Sequence, residues 1–171
     1  SVPCTPGKGI TVETPMKGDN KVIEHLNKVL YNELTAINQY FLHAKMFENW
    51  GLHKLYEHER NESIDEMKHA EKLIGRILFL EGIPIVSQLK KMHIGPDVQT
   101  QIQNDMKAEE EAIRSYNEGI RLCVEQGDNG SKELLDSILL EEEKHLDDLE
   151  AQADQIKHMG LQIYLTQQVR K

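Results

Sequence analysis

Two short stretches of the chain set a carboxylate and an imidazole three residues apart: DEMKHAEK, with Glu66 and His69, and EEEKH, with Glu142 and His145. Residues three apart share one face of a helix, so each pair offers an oxygen and a nitrogen donor side by side. The Glu-x-x-His spacing occurs nowhere else in the 171 residues. A third carboxylate stands out by its position. Val22, Leu26, Val29, Ile37, Tyr40 and Ala44 follow one another at alternating steps of three and four, the pattern of a buried helix face, and the member missing from that line is Glu33. Ile102, Met106, Ile113 and Ile120 make a similar line that contains Glu109.

Four carboxylates and two imidazoles, one Glu from each of two helices and Glu-x-x-His from each of the other two, are the donor set with which a helix bundle holds two iron or manganese ions. The physical reason is charge. Burying four carboxylates unpaired is prohibitive, and two divalent cations cancel four negative charges. Oxygen and imidazole donors without thiolate suit iron or manganese, with zinc a strong competitor. We expect Glu33, Glu66, Glu109 and Glu142 to supply terminal and bridging oxygens and His69 and His145 to bind one metal each. Tyr40 lies seven residues after Glu33 on the same line and reaches the same level. Core packing explains it equally well. Partners on the far side of the histidines are also expected, with Asp105 and Glu141 as candidates. The remaining histidines, His25, His43, His53, His58, His93 and His158, have no Glu three residues before them and read as surface or packing residues.

The elements that must position these groups are long helices. Asp19 or Asn20 caps the first, over roughly 20–50. The second covers about 53–80, the third 98–126 and the fourth 131–158, with a short fifth over Leu161–Val169 after Gly160. Gly82, Pro84, Gly95 and Pro96 mark a connection of about 17 residues, which reaches ~56 Å extended, more than the ~42 Å of a 28-residue helix. The pattern predicts an all-α four-helix bundle with one long crossover, occupying 19–171. The prolines and glycines of 1–18 exclude a helix there and predict an extended N-terminal arm.

Composition narrows the function classes. A formal net charge of −9 argues against nucleic-acid binding, which needs a basic footprint, and is compatible with attracting cations. Cys4 and Cys123 form neither a disulfide framework nor a cysteine metal site, which excludes a four-cysteine iron site. No apolar run is long enough for a membrane span. No basic-then-apolar leader opens the chain, so a cytoplasmic location is expected, or export if Ser1 is a processed terminus.

The stretches MKGDNKVIEHLNKVL, NELTAINQYFLHAKMFENWGL, NESIDEMKHAEKLIGRILFLEGIP, EEEKHLDDLEAQ and MGLQIYL resemble the bacterioferritins, the haem-containing members of the ferritin family. The resemblance runs from Met16 onward. It implies a di-iron ferroxidase centre at Glu33, Glu66, His69, Glu109, Glu142 and His145, with Tyr40 as a source of an electron during oxygen reduction. It implies a homo-oligomeric shell, a 24-mer of two-fold dimers, storing a ferric mineral made from Fe2+. It also implies haem b shared between two subunits through Met67, with electrons for iron release from a ferredoxin-type donor. Met67 is rotated about 100° from Glu66 and so faces outward, beside Ile64, Glu71 and Ile74, with Leu34, Ile37, Asn38 and Phe41 of the first helix completing a partly apolar patch. A methionine that only packs a dimer interface explains it too. The chain departs from the family at Arg60-Asn61, where Tyr-His commonly precedes Glu-Ser. The Tyr would lie near the haem, and the His is associated with an inner-surface iron site. Rival readings are a dimetal enzyme without storage, such as a rubrerythrin-like peroxidase or a manganese catalase, and a haem electron carrier. Six donors in register argue against the carrier.

Overall fold

The computed structural model describes residues 17–170. The described residues form five helices: α1 (Asn20–Asn49), α2 (His53–Phe79), α3 (Val98–Glu125), α4 (Asn129–Met159) and α5 (Leu161–Thr166). Asp19 caps α1, its carboxylate accepting from the amides of Lys21 and Val22, and Asp97 caps α3 through the Thr100 amide. The predicted helices stand, with two corrections. α4 starts at Asn129 rather than 131, because the Asp128 carboxylate accepts from the Ser131 amide and hydroxyl and so caps the helix earlier. α5 stops at Thr166, short of the expected Val169. The expected arm falls, over residues 1–16, outside the described residues. Lys17 is described, and its ammonium sits 3.4 Å above the Phe79 ring. Among the described residues no helix is long and apolar enough to cross a membrane.

The pairings fix the topology. Residues 25, 40 and 43 of α1 meet residues 115, 109 and 105 of α3 in turn, so α1 and α3 are antiparallel. Arg76 and His69 of α2 meet Ser131 and Glu142 of α4, so these two are antiparallel as well. Ser63 donates to the Ile37 carbonyl and Gly82 lies against Ile23, so α1 and α2 are antiparallel too; α2 and α3 therefore run the same way, and the segment between them must travel back along the bundle. It does so beside α1. Asn27 of α1 bonds the backbone at Ile83 and Ile85. Farther along, Thr35 accepts from the Lys90 amide, Gln39 from the His93 amide and His43 from the Gly95 amide. A Cβ at Gly95 would lie 2.5 Å from the Gln101 backbone nitrogen, so glycine is required where the crossover closes onto α3.

The apolar interior is in two pieces. One holds Val22, Leu26, Leu30, Leu73, Ile77, Leu135 and Ile138. The other holds Phe47, Leu55, Ile102, Leu149, Ile156 and Tyr164. Between them lies a buried polar layer. At ~0.8 kcal/mol for each buried CH2, the two apolar clusters hold the helices against the cost of that layer.

Candidate metal centre

Each helix contributes to the polar layer at its middle. Glu33 from α1, Glu66 and His69 from α2, Glu109 from α3, and Glu142 and His145 from α4 are all buried. They form two groups, each with donor atoms within 4.8 Å of one another. Glu33, Glu66, His69 and Glu142 make the first, and Glu66, Glu109, Glu142 and His145 the second. Glu66 and Glu142 belong to both, so they stand where bridging carboxylates would.

The imidazole Nδ1 atoms face inward. His69 Nδ1 is 2.8 Å from Glu142 Oε1 and 3.5 Å from both Glu33 Oε2 and Glu66 Oε2. His145 Nδ1 is 3.0 Å from Glu66 Oε1 and 3.6 Å from Glu109 Oε1. Yet Glu33 Oε2, His69 Nδ1, Glu109 Oε2 and Glu142 Oε1 are buried without a hydrogen-bond partner. Buried polar atoms are nearly always satisfied. Four unsatisfied ones converging on one space are what a set of donors aimed at cations looks like. The residues present fit a pair of divalent ions.

Second contacts orient these groups. Tyr40 of α1 donates to Glu109 Oε1 of α3 at 2.6 Å. Tyr116 of α3 returns the favour to Glu33 of α1. Each tyrosine lies seven residues after the glutamate of its own helix, so the two helices brace one another reciprocally. That repeat is the signal by which Tyr116 is findable from sequence. The outer Nε2 of His69 pairs with Glu141, as expected, and that of His145 lies 3.2 Å from Asp65. Outer carboxylates of this kind fix the ring orientation of metal-binding histidines. Asp105, the other expected partner, is elsewhere. It accepts from His43 Nδ1 at 2.9 Å and from Gln39. His43 is fully buried. Its Nε2 accepts from Gly95 N–H, so its proton is on Nδ1 and both ring nitrogens are engaged in joining the crossover to α1 and α3. Glu62, one turn before Glu66, is a participant sequence spacing had not singled out. Its Oε2 is 2.9 Å from His145 Nδ1.

Protons occupy this cluster in the absence of cations. Burial, reinforced by Glu66, holds Glu33 and Glu142 well above the usual carboxylate range, and burial also raises Glu109. Glu66 goes the other way: burial opposes its charge, but Glu33, His145 and His69 hold it ionised. Burial disfavours the His69 imidazolium too, yet the Glu33 and Glu66 carboxylates override it and lift His69 to about 11. His145 is raised by Glu109, Glu62 and Glu66 against the same burial. Burial and the adjacent carboxylates keep Tyr40 and Tyr116 as phenols, which suits them as donors. Cys123 is a buried thiol raised to about 11 by burial and stands apart from the centre.

Two clefts lead in. One, of about 520 Å³, touches Glu33, Tyr40, Glu66 and Glu142 beneath the crossover residues Lys90, Lys91 and His93. The other, of about 510 Å³, opens between α2 and α4 at Glu62, Asp65, Glu141 and His145. Met67 lies outside both, 54% exposed. Phe41 is equally exposed, with Leu34, Ile37 and Ile74 half-buried nearby. Arg60 and Asn61 are exposed on α2.

The comparisons with known proteins agree with this geometry. A family model described as a ferritin-like domain matches residues 23–159. A bacterioferritin of Brucella melitensis biotype 1 is 45% identical over 87% of this chain and 92% of its own length. The bacterioferritin of Mycolicibacterium paratuberculosis is 43% identical over 91% of this chain and 98% of its own. That of Rhodobacter capsulatus is 45% identical over 86% and 91% respectively. Domain match, relatives and bundle together place the chain in the ferritin family, to whose bacterioferritin branch it belongs.

Proposed function

We propose that this protein stores iron, binding Fe2+ as substrate at the six-residue centre and oxidising it to Fe3+ before it joins a ferric mineral inside a shell of identical subunits, a 24-mer. The observation that carries this reading is the pair of overlapping four-residue groups sharing Glu66 and Glu142, buried and with unpartnered donor atoms. Membership of the family supports the storage part.

The residues act in distinct ways. Glu33 and Glu109 each hold one ion, Glu66 and Glu142 bridge the two, and His69 and His145 complete one position each. Two ions side by side release two electrons together, the number that takes dioxygen to hydrogen peroxide or peroxide to water. Four carboxylate charges shared by the two ions stabilise Fe3+ more than Fe2+ and so favour the oxidation that dioxygen or peroxide drives. Tyr40 and Tyr116 keep Glu33 and Glu109 aimed inward by donating to them. Tyr40 is also within reach to give up an electron to the oxidant. The net charge of −9 on the chain favours the approach of Fe2+ from solution.

The exposed Met67 thioether, beside its partly apolar patch, would hold a haem b together with Met67 of a second subunit. A haem held there would supply one-electron chemistry between an external donor of ferredoxin type and stored iron, and thioether ligation would raise its potential.

The test is an anaerobic Fe2+ titration of metal-free protein, followed by oxidant. Rapid oxidation of about two irons per chain, then continued uptake of many more, is the expected result. Uptake that stops at the fast phase makes the centre a redox cofactor of an enzyme without storage. The absence of a fast phase overturns the six-residue reading.

A further inference from the structure

One side-chain cluster adjoins the centre without belonging to it. His58 and Glu62 lie four apart on α2, on one face, and Asp148 lies three residues beyond His145 on α4. The three present donor atoms within 4.8 Å of one another. Glu62 is only 8% exposed, and His58 and Asp148 are half-buried. His58 Nε2 is buried with no hydrogen-bond partner, standing 3.5 Å from Glu62 Oε1. The other oxygen of Glu62 is the one 2.9 Å from His145. Among the described residues, neither Glu62 nor Asp148 pairs with a lysine or arginine.

A simple His–Glu ion pair does not account for this arrangement. It would leave Asp148 drawn to the same point without purpose, and it would align the imidazole with the carboxylate, whereas Nε2 makes no hydrogen bond. Two carboxylates and one imidazole nitrogen around a common point carry two negative charges and match a hard or borderline divalent cation.

We propose that His58, Glu62 and Asp148 form a third cation site, of the class that takes Fe2+, Mn2+ or Zn2+, and that Glu62 passes ions between it and the His145 side of the centre. The geometry gives Glu62 this role, since its two oxygens face the two sites. The cleft between α2 and α4 reaches Glu62, His145 and Asp148 together, so open space joins the His145 position to two of the three residues of this cluster. The transfer half of the inference rests on the dimetal reading of the centre; the site itself does not.

The experiment is anomalous diffraction at the iron edge from crystals of the full chain loaded anaerobically with Fe2+, for the unaltered protein and for His58→Ala and Asp148→Asn. His58 and Asp148 are partly exposed, so neither change opens a core cavity. The expected result is a peak bounded by His58, Glu62 and Asp148, lost in His58→Ala and weakened in Asp148→Asn, with the central pair retained in both. A filled centre with no third peak, or a third peak unchanged in both variants, overturns this inference alone. A third peak beside an empty centre sustains the site and overturns the dimetal reading and the transfer role. With all positions empty, both fail.

Discussion

Around His69 the buried carboxylates are Glu33, Glu66 and Glu142; around His145 they are Glu66, Glu109 and Glu142. The inner groups of the two halves are near copies, each with a tyrosine donating to its unshared glutamate and a carboxylate behind its imidazole. They part company at Glu62, which stands 2.9 Å from His145 and has no counterpart on the His69 side among the described residues. The His69 half meets the cleft beneath the crossover at Glu33 and the cleft between α2 and α4 at Glu141. The His145 half has one carboxylate more, and that carboxylate also faces His58. Similar donors in dissimilar surroundings give the two positions different numbers of oxygens within reach.

The largest effect expected from breaking this pair is at a shared carboxylate. Glu66→Ala removes a donor from both halves, and ion binding at both positions falls by more than about 100-fold, since outer partners alone are worth 10–100-fold; a Zn2+ isotherm on assembled protein measures it. The single-histidine variants sharpen the comparison. His69→Ala loses its ion position, while His145→Ala keeps Glu62 as a substitute oxygen and loses about tenfold less. Equal losses in the two isotherms would remove the asymmetry argued from Glu62.

Acid affects both halves in the same direction. Glu33, Glu142 and His69 hold protons in the metal-free centre because their pKa values are raised, and a cation must displace them. Affinity therefore rises with pH up to the raised value of His69, about 11, by up to about tenfold per unit for each proton released, and proton release on Zn2+ addition in weak buffer counts them. The same signs set stability. Raised groups favour the metal-free fold fully below their unfolded values, 4.5 for the carboxylates and 6.5 for His69. That contribution is lost as pH rises through the folded values, so metal-free protein weakens from acid toward neutral pH while metal-bound protein strengthens.

Smaller effects come from the outer groups. Glu141→Gln and Asp65→Asn each weaken ion binding about tenfold at the histidine they touch, read from the same isotherms. The smallest is at the tyrosines. Tyr40→Phe and Tyr116→Phe each remove one buried hydrogen bond and lower the stability of metal-free protein by about 1 kcal/mol in urea unfolding. Equal values would confirm the reciprocal bracing, and a clear inequality would break it.

Much of this was legible in the residues. Helical period located Glu33 as the polar break in an apolar line, and the two Glu-x-x-His spacings named the donors on the other helices. Outward-facing Met67 followed from its rotation away from Glu66. The other half of the polar layer was hidden because sequence spacing reports one helix at a time. Asp105 looked like a partner for His69 or His145 and instead meets His43, since α3 runs antiparallel to α1 and brings residue 105 beside 43. His43 and His58 looked unremarkable because their carboxylates come wholly or partly from other helices.

The sequence by itself determined which residues are helical, which face of each helix is buried and at what level the carboxylates sit, because a 3.6-residue period is a local property of the chain. It left the direction of α3 open, since a mid-helix level looks the same whichever way a helix runs. Only the tertiary structure decided that α2 and α3 are parallel, that the crossover is bound along α1 through Asn27, Thr35, Gln39 and His43, and that Tyr40 and Tyr116 cross between helices. It also decided that Glu62 faces two sites at once. Each of these is a contact between elements distant in sequence, set by how four amphipathic faces pack around charges that none of them can bury alone.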